Sequence, residues 1–225
     1  MKGLRELSAL EPPQLLIDYA DPLNCECRVY GRLKEEGRQD LAVQAHGYLL
    51  LNSQQETEIT ERAGGMEFPP VDMTDVEVEL NGWNRWNRYE EHRHVPIRAI
   101  VKDFVAGHTA FTSAQVPDMW KDLEDLHQLG ILVHDFGFVN YMGGKLIDFS
   151  RAWVMPHPDM ETMDPDDIQS EPEGLVRTID EWGDVVGWTP DKISVLIPDD
   201  LLDCYFGRGK KDRYGTDPRQ YKWRK

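Results

Sequence analysis

The sequence lacks several features that would assign it to common protein classes. Three cysteines among 225 residues are too few for a disulfide framework, and the Cys25-x-Cys27 pair has no second pair beside it to complete a zinc site. No run approaches the roughly 18 apolar residues that a membrane helix needs, and the N-terminus does not resemble a signal peptide. We therefore expect a soluble protein of the nucleus or cytoplasm, without membrane contact.

Basic residues are also scarce, since 25 Lys and Arg stand against 41 Asp and Glu and leave a net charge of −16. Such a field repels an anionic polymer, so direct nucleic-acid binding by the globular part is not expected. The segment Arg208–Lys225 is the exception, with eight basic and two acidic side chains. We expect this tail to be mobile and solvated, or to fold onto the acidic segment 159–173; contact with nucleic acid or with an acidic partner is the alternative.

The spacing of apolar residues predicts a mixture of short helices and strands. In the first half we expect a helix over 24–38, capped by Asn24 and ended near Gly37, then a strand pair over 41–51 interrupted at His46-Gly47, a loop over 54–81 and a strand over 96–105. In the second half we expect a helix over 117–129, a short strand over 131–133, a hairpin that turns at Gly143-Gly144, a loop or linker over 159–173 and one or two helices within 174–206.

One segment has a spacing that is typical of phosphoryl transfer. Asp135 and Asn140 form a D-x-x-x-x-N pattern, and Asp148-Phe149 follows after the hairpin. This reaction needs a carboxylate that receives the acceptor's proton, together with an amide and a second carboxylate that hold the metal. Asp135 is therefore the candidate catalytic base, and Asn140 and Asp148 are candidate metal ligands. The two-residue turn predicts that Asp148 lies beside Asn140.

Four stretches resemble a family of fungal kinase-like proteins grouped with an inner-kinetochore subunit. They are Asp21-Pro-Leu-Asn-Cys-Glu-Cys-Arg-Val-Tyr-Gly-Arg-Leu-Lys34, His46-Gly-Tyr-Leu-Leu50, Ile97-Arg-Ala-Ile-Val-Lys-Asp-Phe104 and Asn140-Tyr-Met-Gly-Gly-Lys-Leu-Ile-Asp-Phe-Ser-Arg-Ala-Trp153. The resemblance implies a kinase-like fold and protein partners of the inner kinetochore. It assigns Glu26 to the helix glutamate that pairs with a strand lysine in kinases. We take Glu26, Lys102 and Phe104 as the candidate cofactor-binding residues.

The chain departs from active kinases on the side that holds the nucleotide phosphates. Before Glu26 the only lysine is Lys2 and the only glycine is Gly3, which leaves no room for a glycine loop or a lysine-bearing strand. We therefore expect Glu26 to lack a lysine partner. Gly137 and Ser150 also replace the lysine and glycine usual at these positions. Because phosphoryl transfer depends on positioning and electrostatics, these losses argue against catalysis.

The sequence therefore predicts an α+β, protein-kinase-like fold, with a remnant N-lobe at 10–105, a reduced and mainly helical C-lobe at 106–206 and a basic tail at 207–225. The predicted function is a pseudoenzyme that acts as a binding or scaffold module, associated with the kinetochore and without a cofactor.

Two alternative functions remain beside this one, and one aromatic segment is interpreted separately. The first is a small phosphotransferase that uses Mg-ATP, with Asp135 as base and Asn140 and Asp148 as metal ligands. The second is a metal hydrolase built on the two aspartates and a nearby histidine. The separate segment is the aromatic repeat Trp83, Trp86 and Tyr89. We expect it to pack or to form a partner-binding patch rather than to stack on bases.

Overall fold

The computed structural model of the chain describes residues 18–62, 95–106, 109–198 and 217–222. The sequence predictions for 63–81, for the aromatic repeat at Trp83, Trp86 and Tyr89, and for most of the basic tail lie outside these residues. The chain divides into two compact units, one formed by residues 1–45 with 102–225 and the other by residues 46–101.

The described elements alternate between helices and short strands, which confirms the α+β class. In chain order they are α1 (Pro22–Glu35), β1 (Ala45–Leu51), α2 (Ser53–Arg62), β2 (Ile97–Lys102), α3 (Val116–Gln128), β3 (Ile131–Leu132), β4 (Tyr141–Met142), β5 (Lys145–Leu146), β6 (Trp153–Val154), α4 (Pro158–Thr162), α5 (Pro165–Gln169), α6 (Glu171–Val186) and α7 (Pro190–Leu196). Strand β1 pairs with β2, while β3 with β6 and β4 with β5 form antiparallel pairs.

Helix α1 begins earlier than the sequence predicts because Asp21, and not Asn24, is its N-cap. The Asp21 carboxylate accepts the backbone N–H of Asn24 at 3.0 Å, and Pro22 occupies the first turn, where a missing N–H costs nothing. The helix ends at Glu35, and Gly37 follows in the left-handed region with φ 67°. The predicted stop at this glycine is confirmed within two residues.

The hairpin β4–β5 has the predicted register. Gly143 and Gly144 both have positive φ, at 60° and 80°, as a type I′ turn requires. Tyr141 lies opposite Leu146, and Met142 lies opposite Lys145. The tip is held by the backbone of the preceding segment, since the N–H of Gly144 donates to the carbonyl of Ala110 at 2.9 Å.

The main core joins α1, α3, the hairpin and α6. Helix α3 contributes a buried stripe at the predicted spacing, and α6 contributes a second one. Ile147, which directly follows the hairpin, is only half-buried. The central buried side chains are Leu33, Phe111, Leu123, Leu126, Ile131, Val133, Leu146, Phe149, Leu175 and Ile179.

Three local predictions are wrong. Strand β1 runs without a break through His46-Gly47, and residues 53–62 form helix α2 rather than a loop. The acidic segment 159–173 is not a linker, because α4 and α5 occupy most of it. Both helices have capping side chains at their N-termini, and Met160 and Ile168 are buried in a second cluster with Leu132. Proline at the first helical turn begins these helices, whereas the prediction took it as a breaker.

The part of the basic tail that the structure describes is packed against the domain, so the prediction of mobility is wrong there. Pro218 is buried, and Arg219 Nη1 donates to the carbonyl of Met163 at 3.1 Å. The Tyr221 hydroxyl donates to Glu36 Oε1 at 2.8 Å, and the Arg32 guanidinium lies 4.0 Å above the Tyr221 ring. The contact with Met163 agrees with the expectation that the tail folds onto the acidic segment.

The hairpin register makes Leu146→Ala a direct test of the fold. Leu146 is buried in the main core, so the variant should lose about 2–5 kcal/mol of unfolding free energy through lost burial and the cavity left behind. Urea denaturation measures this loss. Val195→Ala, at an exposed position of α7, is the matched control and should change stability by less than about 0.5 kcal/mol. Equal midpoints for the two variants would contradict the register.

Candidate ligand-binding site

Lys102 at the end of β2 forms an ion pair with Glu26 on α1. The distance between Lys102 Nζ and Glu26 Oε1 is 2.7 Å, and the two side chains are only 22% and 12% exposed. The expectation that Glu26 lacks a lysine partner is therefore wrong. Its partner lies 76 residues after it in the chain, whereas the sequence argument considered only lysines before it.

The same ion pair also holds the chain that follows the hairpin. Glu26 Oε1 accepts the backbone N–H of Phe149 at 3.0 Å, and Lys102 Nζ donates to the carbonyl of Ile147 at 2.5 Å. Asp148 lies between these two residues. Helix α1, the end of β2 and residues 147–149 are thus joined at one carboxylate and one ammonium group.

The hydroxyl group of Tyr30, one helical turn after Glu26, belongs to the same region. Its ring packs edge-on against Phe149, with the centroids 5.7 Å apart, and Lys102 Nζ lies 5.5 Å from the Tyr30 ring centroid. Burial raises the pKa of the Tyr30 hydroxyl, and the charges of Glu26 and Asp148 raise it further. The buried hydroxyl oxygen makes no hydrogen bond to any residue that the structure describes.

The loop at 134–140 brings Asp135 and Asn140 together. Asn140 Nδ2 donates to the backbone carbonyl of Asp135 at 3.3 Å, and a Cβ built on Gly137 would lie 3.7 Å from Asp135 Oδ1 and 3.8 Å from Asn140 Nδ2. The N–H of Ile147 donates to the Asn140 carbonyl at 2.9 Å. Asp148 therefore follows directly on the residue that pairs with Asn140, in agreement with the hairpin geometry that was predicted.

Glu171 at the start of α6 supports this loop, although no pattern in the sequence singles it out. Its buried carboxylate accepts the N–H groups of Val133 and His134 at 3.1 and 2.5 Å and contacts His127 Nε2 at 2.8 Å. His134 has a left-handed backbone with φ 64°, a strained conformation for a residue other than glycine. Glu171 thus holds the strained residue that directly precedes Asp135.

Helix α6 provides the rest of the support beneath the loop. The Thr178 hydroxyl donates to the carbonyl of Phe136, and Gly174 leaves room for the Phe136 ring, which lies 3.0 Å from where a Cβ would be. These contacts come from successive turns of one helix face. The sequence shows this helix by its apolar spacing, but nothing distinguishes Glu171 from the other acidic residues around it.

The structure pairs four of the six candidate residues. Lys102 binds Glu26, and Asn140 binds the backbone of Asp135. Asp148 lies between Ile147 and Phe149, whose backbone groups bind Lys102 and Glu26. Phe104 differs, because its side chain is 92% exposed. The sequence itself contained a signal for Lys102. A charged residue directly follows the apolar run Ala99-Ile-Val101 of the predicted strand, which places a lysine at the edge of a buried region.

In chemical terms the site combines one half-buried cation with several carboxylates. Within the described ranges, no group of three or more histidine, cysteine, aspartate or glutamate side chains is arranged to hold a metal ion. A metal bound by Asn140 and Asp148 would therefore need further oxygen ligands from water or from a bound molecule. None of the described helices is long and apolar enough to cross a membrane.

The fold and this site define an α+β protein. Its site is formed by a helix that carries a glutamate, a strand that ends in a lysine and two loops that each carry an aspartate. Residues 5–153 match the family model described as Kinetochore Sim4 complex subunit FTA2. The match spans more than half of the chain, and the chain therefore belongs to this family. No curated protein and no solved structure was found to match it.

Removing Lys102 tests whether the ion pair contributes to stability. Lys102→Met leaves the half-buried Glu26 carboxylate without a cation, so we expect a loss of about 1–3 kcal/mol of unfolding free energy, below the cost for a fully buried pair. A double-mutant cycle with Glu26→Gln should give a coupling energy of about 1 kcal/mol or more. Denaturant unfolding measures both. Asp40→Asn, at an exposed ion pair, should cost less than about 1 kcal/mol. Strictly additive effects of the Glu26 and Lys102 variants would contradict the pairing.

The role of Glu171 can be tested on the two amides that it binds. Glu171→Ala leaves the N–H groups of Val133 and His134 without their acceptor, at a cost of about 1–3 kcal/mol for each buried donor. Amide hydrogen exchange of these two residues should accelerate in parallel. Glu173→Ala on the same helix is the matched control, for which we expect unchanged exchange. If both variants exchange alike, Glu171 does not hold the loop.

Proposed function

We propose that this chain is a protein-binding scaffold subunit of a kinetochore complex, built on a kinase-like fold that does not perform phosphoryl transfer. Family membership supports the first part, since the family is described as a subunit of the kinetochore Sim4 complex. A subunit of a complex has protein partners, and a kinetochore partner favours the nucleus over the cytoplasm as its location.

The kinase-like fold is supported by features that kinases combine around their nucleotide. A helix glutamate pairs with a strand lysine, a D-x-x-x-x-N loop follows a helix and short strand, and an Asp-Phe pair follows the hairpin. In kinases the lysine-bearing strand comes before the glutamate-bearing helix. Here Lys102 comes after α1, so the ion pair is built from a different strand.

The observation that carries the pseudoenzyme proposal is the set of contacts made by Lys102. Its ammonium group has three donors, and two of them are used by Glu26 and by the carbonyl of Ile147. In an active kinase this lysine also neutralises nucleotide phosphates. Here the group serves as an internal brace between α1 and residues 147–149.

The phosphotransferase remains the second candidate, and the ion pair beside Asp148 is the observation that favours it. The candidate residues include each side-chain type that kinases use in this reaction. A lysine and a glutamate correspond to the pair that holds the phosphates, and the remaining residues, Asp135, Asn140 and Asp148, correspond to the groups that bind the acceptor and the metal. In that case Mg-ATP would be the cofactor, with Asp135 as the base and Asn140 and Asp148 as metal ligands.

Nucleotide binding separates the two candidates. For the scaffold we expect calorimetry of the full chain to give a dissociation constant for Mg-ATP above about 1 mM, equivalent to less than about 4 kcal/mol of binding. Radiolabelled ATP should transfer no phosphate to the chain or to generic acceptors. Asp148→Asn is the control that removes the candidate metal ligand. Micromolar binding that this variant abolishes, or transfer that needs Asp135, would make the chain a phosphotransferase.

The scaffold role itself can be tested in cells of the source organism. A fluorescently tagged full chain should form kinetochore foci, because a scaffold subunit is retained there by its protein partners. Lys102→Met should reduce the foci by destabilising the fold. Absence of foci in cells that contain a stable tagged chain would contradict the scaffold role.

A further inference from the structure

Two large apolar side chains are exposed to solvent next to the candidate site. Phe104 is 92% exposed and Val139 is 70% exposed. Phe104 follows Lys102 by two residues, and Val139 directly precedes Asn140. Both Lys102 and Asn140 contact the backbone of Ile147, through the Ile147 carbonyl at 2.5 Å and the Ile147 N–H at 2.9 Å respectively. Phe104 and Val139 therefore each lie within two residues, along the chain, of one hydrogen-bonded frame formed by Lys102, Asn140 and Ile147.

The carboxylates of the same frame have only backbone donors among the described residues. Asp135 Oδ1 accepts the N–H of Gly137 at 3.4 Å, and Asp148 Oδ1 accepts the N–H of Ser150 at 2.7 Å. No cationic side chain of the described part of the chain contacts either aspartate, since Lys102 binds Glu26 instead. The frame thus presents exposed apolar area together with two negative charges that lack a counter-charge there.

We propose that Phe104, Val139, Asp135 and Asp148 form a docking surface for a segment of a partner protein in which a bulky apolar residue neighbours arginine or lysine. This inference rests on the proposed scaffold function and adds the chemistry of the partner. A guanidinium or ammonium group pairs with the aspartates, while the apolar neighbour covers Phe104 and Val139. Apolar anchors and charge-assisted hydrogen bonds are the contacts that contribute most at protein interfaces.

Charge complementarity selects this partner chemistry over others. The chain carries −16 overall, so a basic segment is attracted from a distance, while an acidic or phosphorylated one is repelled. A purely basic segment would leave Phe104 in water, and a purely apolar one would leave the two carboxylates unpaired in the interface, at a cost in desolvation. A segment that combines both side-chain types satisfies the whole surface.

The test uses a positional-scanning library of short random peptides, presented to the full chain without nucleotide. We expect enrichment of arginine or lysine next to leucine, isoleucine, phenylalanine or methionine. Fluorescence polarisation with the best peptide then compares variants. Phe104→Ser, Val139→Ser and Asp148→Asn should each weaken binding about tenfold or more. Val195→Ser is the matched control, because Val195 is 83% exposed on α7 away from these residues in the chain, and it should bind as the unmodified protein does.

Each other outcome overturns a defined part of the proposal. Failure to enrich basic and apolar pairs, or equal weakening by Val195→Ser, would overturn the docking surface and leave the scaffold function standing. Enrichment that appears only after deletion of Trp223–Lys225 would assign the surface to the chain's own C-terminus instead of a partner. Phosphate transfer to the bound peptide on addition of Mg-ATP would overturn the pseudoenzyme function and leave the docking surface.

Discussion

The rest of the site depends on one oxygen atom, Glu26 Oε1, which accepts a hydrogen bond from Lys102 Nζ and another from the N–H of Phe149. A half-buried carboxylate is costly without a partner, and these two donors come from segments far apart in the chain. Satisfying them requires α1, the end of β2 and residues 147–149 to meet at one point. The position of Asp148 and the packing of Tyr30 on Phe149 follow from that meeting.

Helix α1 is also anchored at its far end, which fixes its direction as well as its position. The buried Arg32 guanidinium donates to the carbonyls of Leu129 and Met155, each at 2.6 Å, and burial lowers the pKa of this group. Tyr221 covers the same guanidinium with its ring. Residues 217–222 therefore contribute to the surroundings of the helix that carries Glu26, although they lie near the other end of the sequence.

The loop with Asp135 is held from below by α6, and the loop with Asp148 is held by Glu26. Both sets of contacts lie within the protein, and none needs a nucleotide or a metal to form. The arrangement of the two loops therefore follows from hydrogen bonds and packing among the described residues. The Lys102 brace is one of these internal contacts, since its ammonium group binds Glu26 and the carbonyl of Ile147.

Local physical chemistry determined what the sequence by itself could show. The type I′ turn at Gly143-Gly144, the apolar stripe of α3 and the D-x-x-x-x-N spacing each depend on neighbouring residues, so they were readable, as was the α+β class. The short helices α4 and α5 were missed because proline can either begin or break a helix. Only the tertiary structure decided that Lys102 pairs with Glu26, that Glu171 holds His134 and that Tyr221 covers Arg32. These contacts join residues far apart in the chain, and their partners are selected by burial and distance, which no local pattern records.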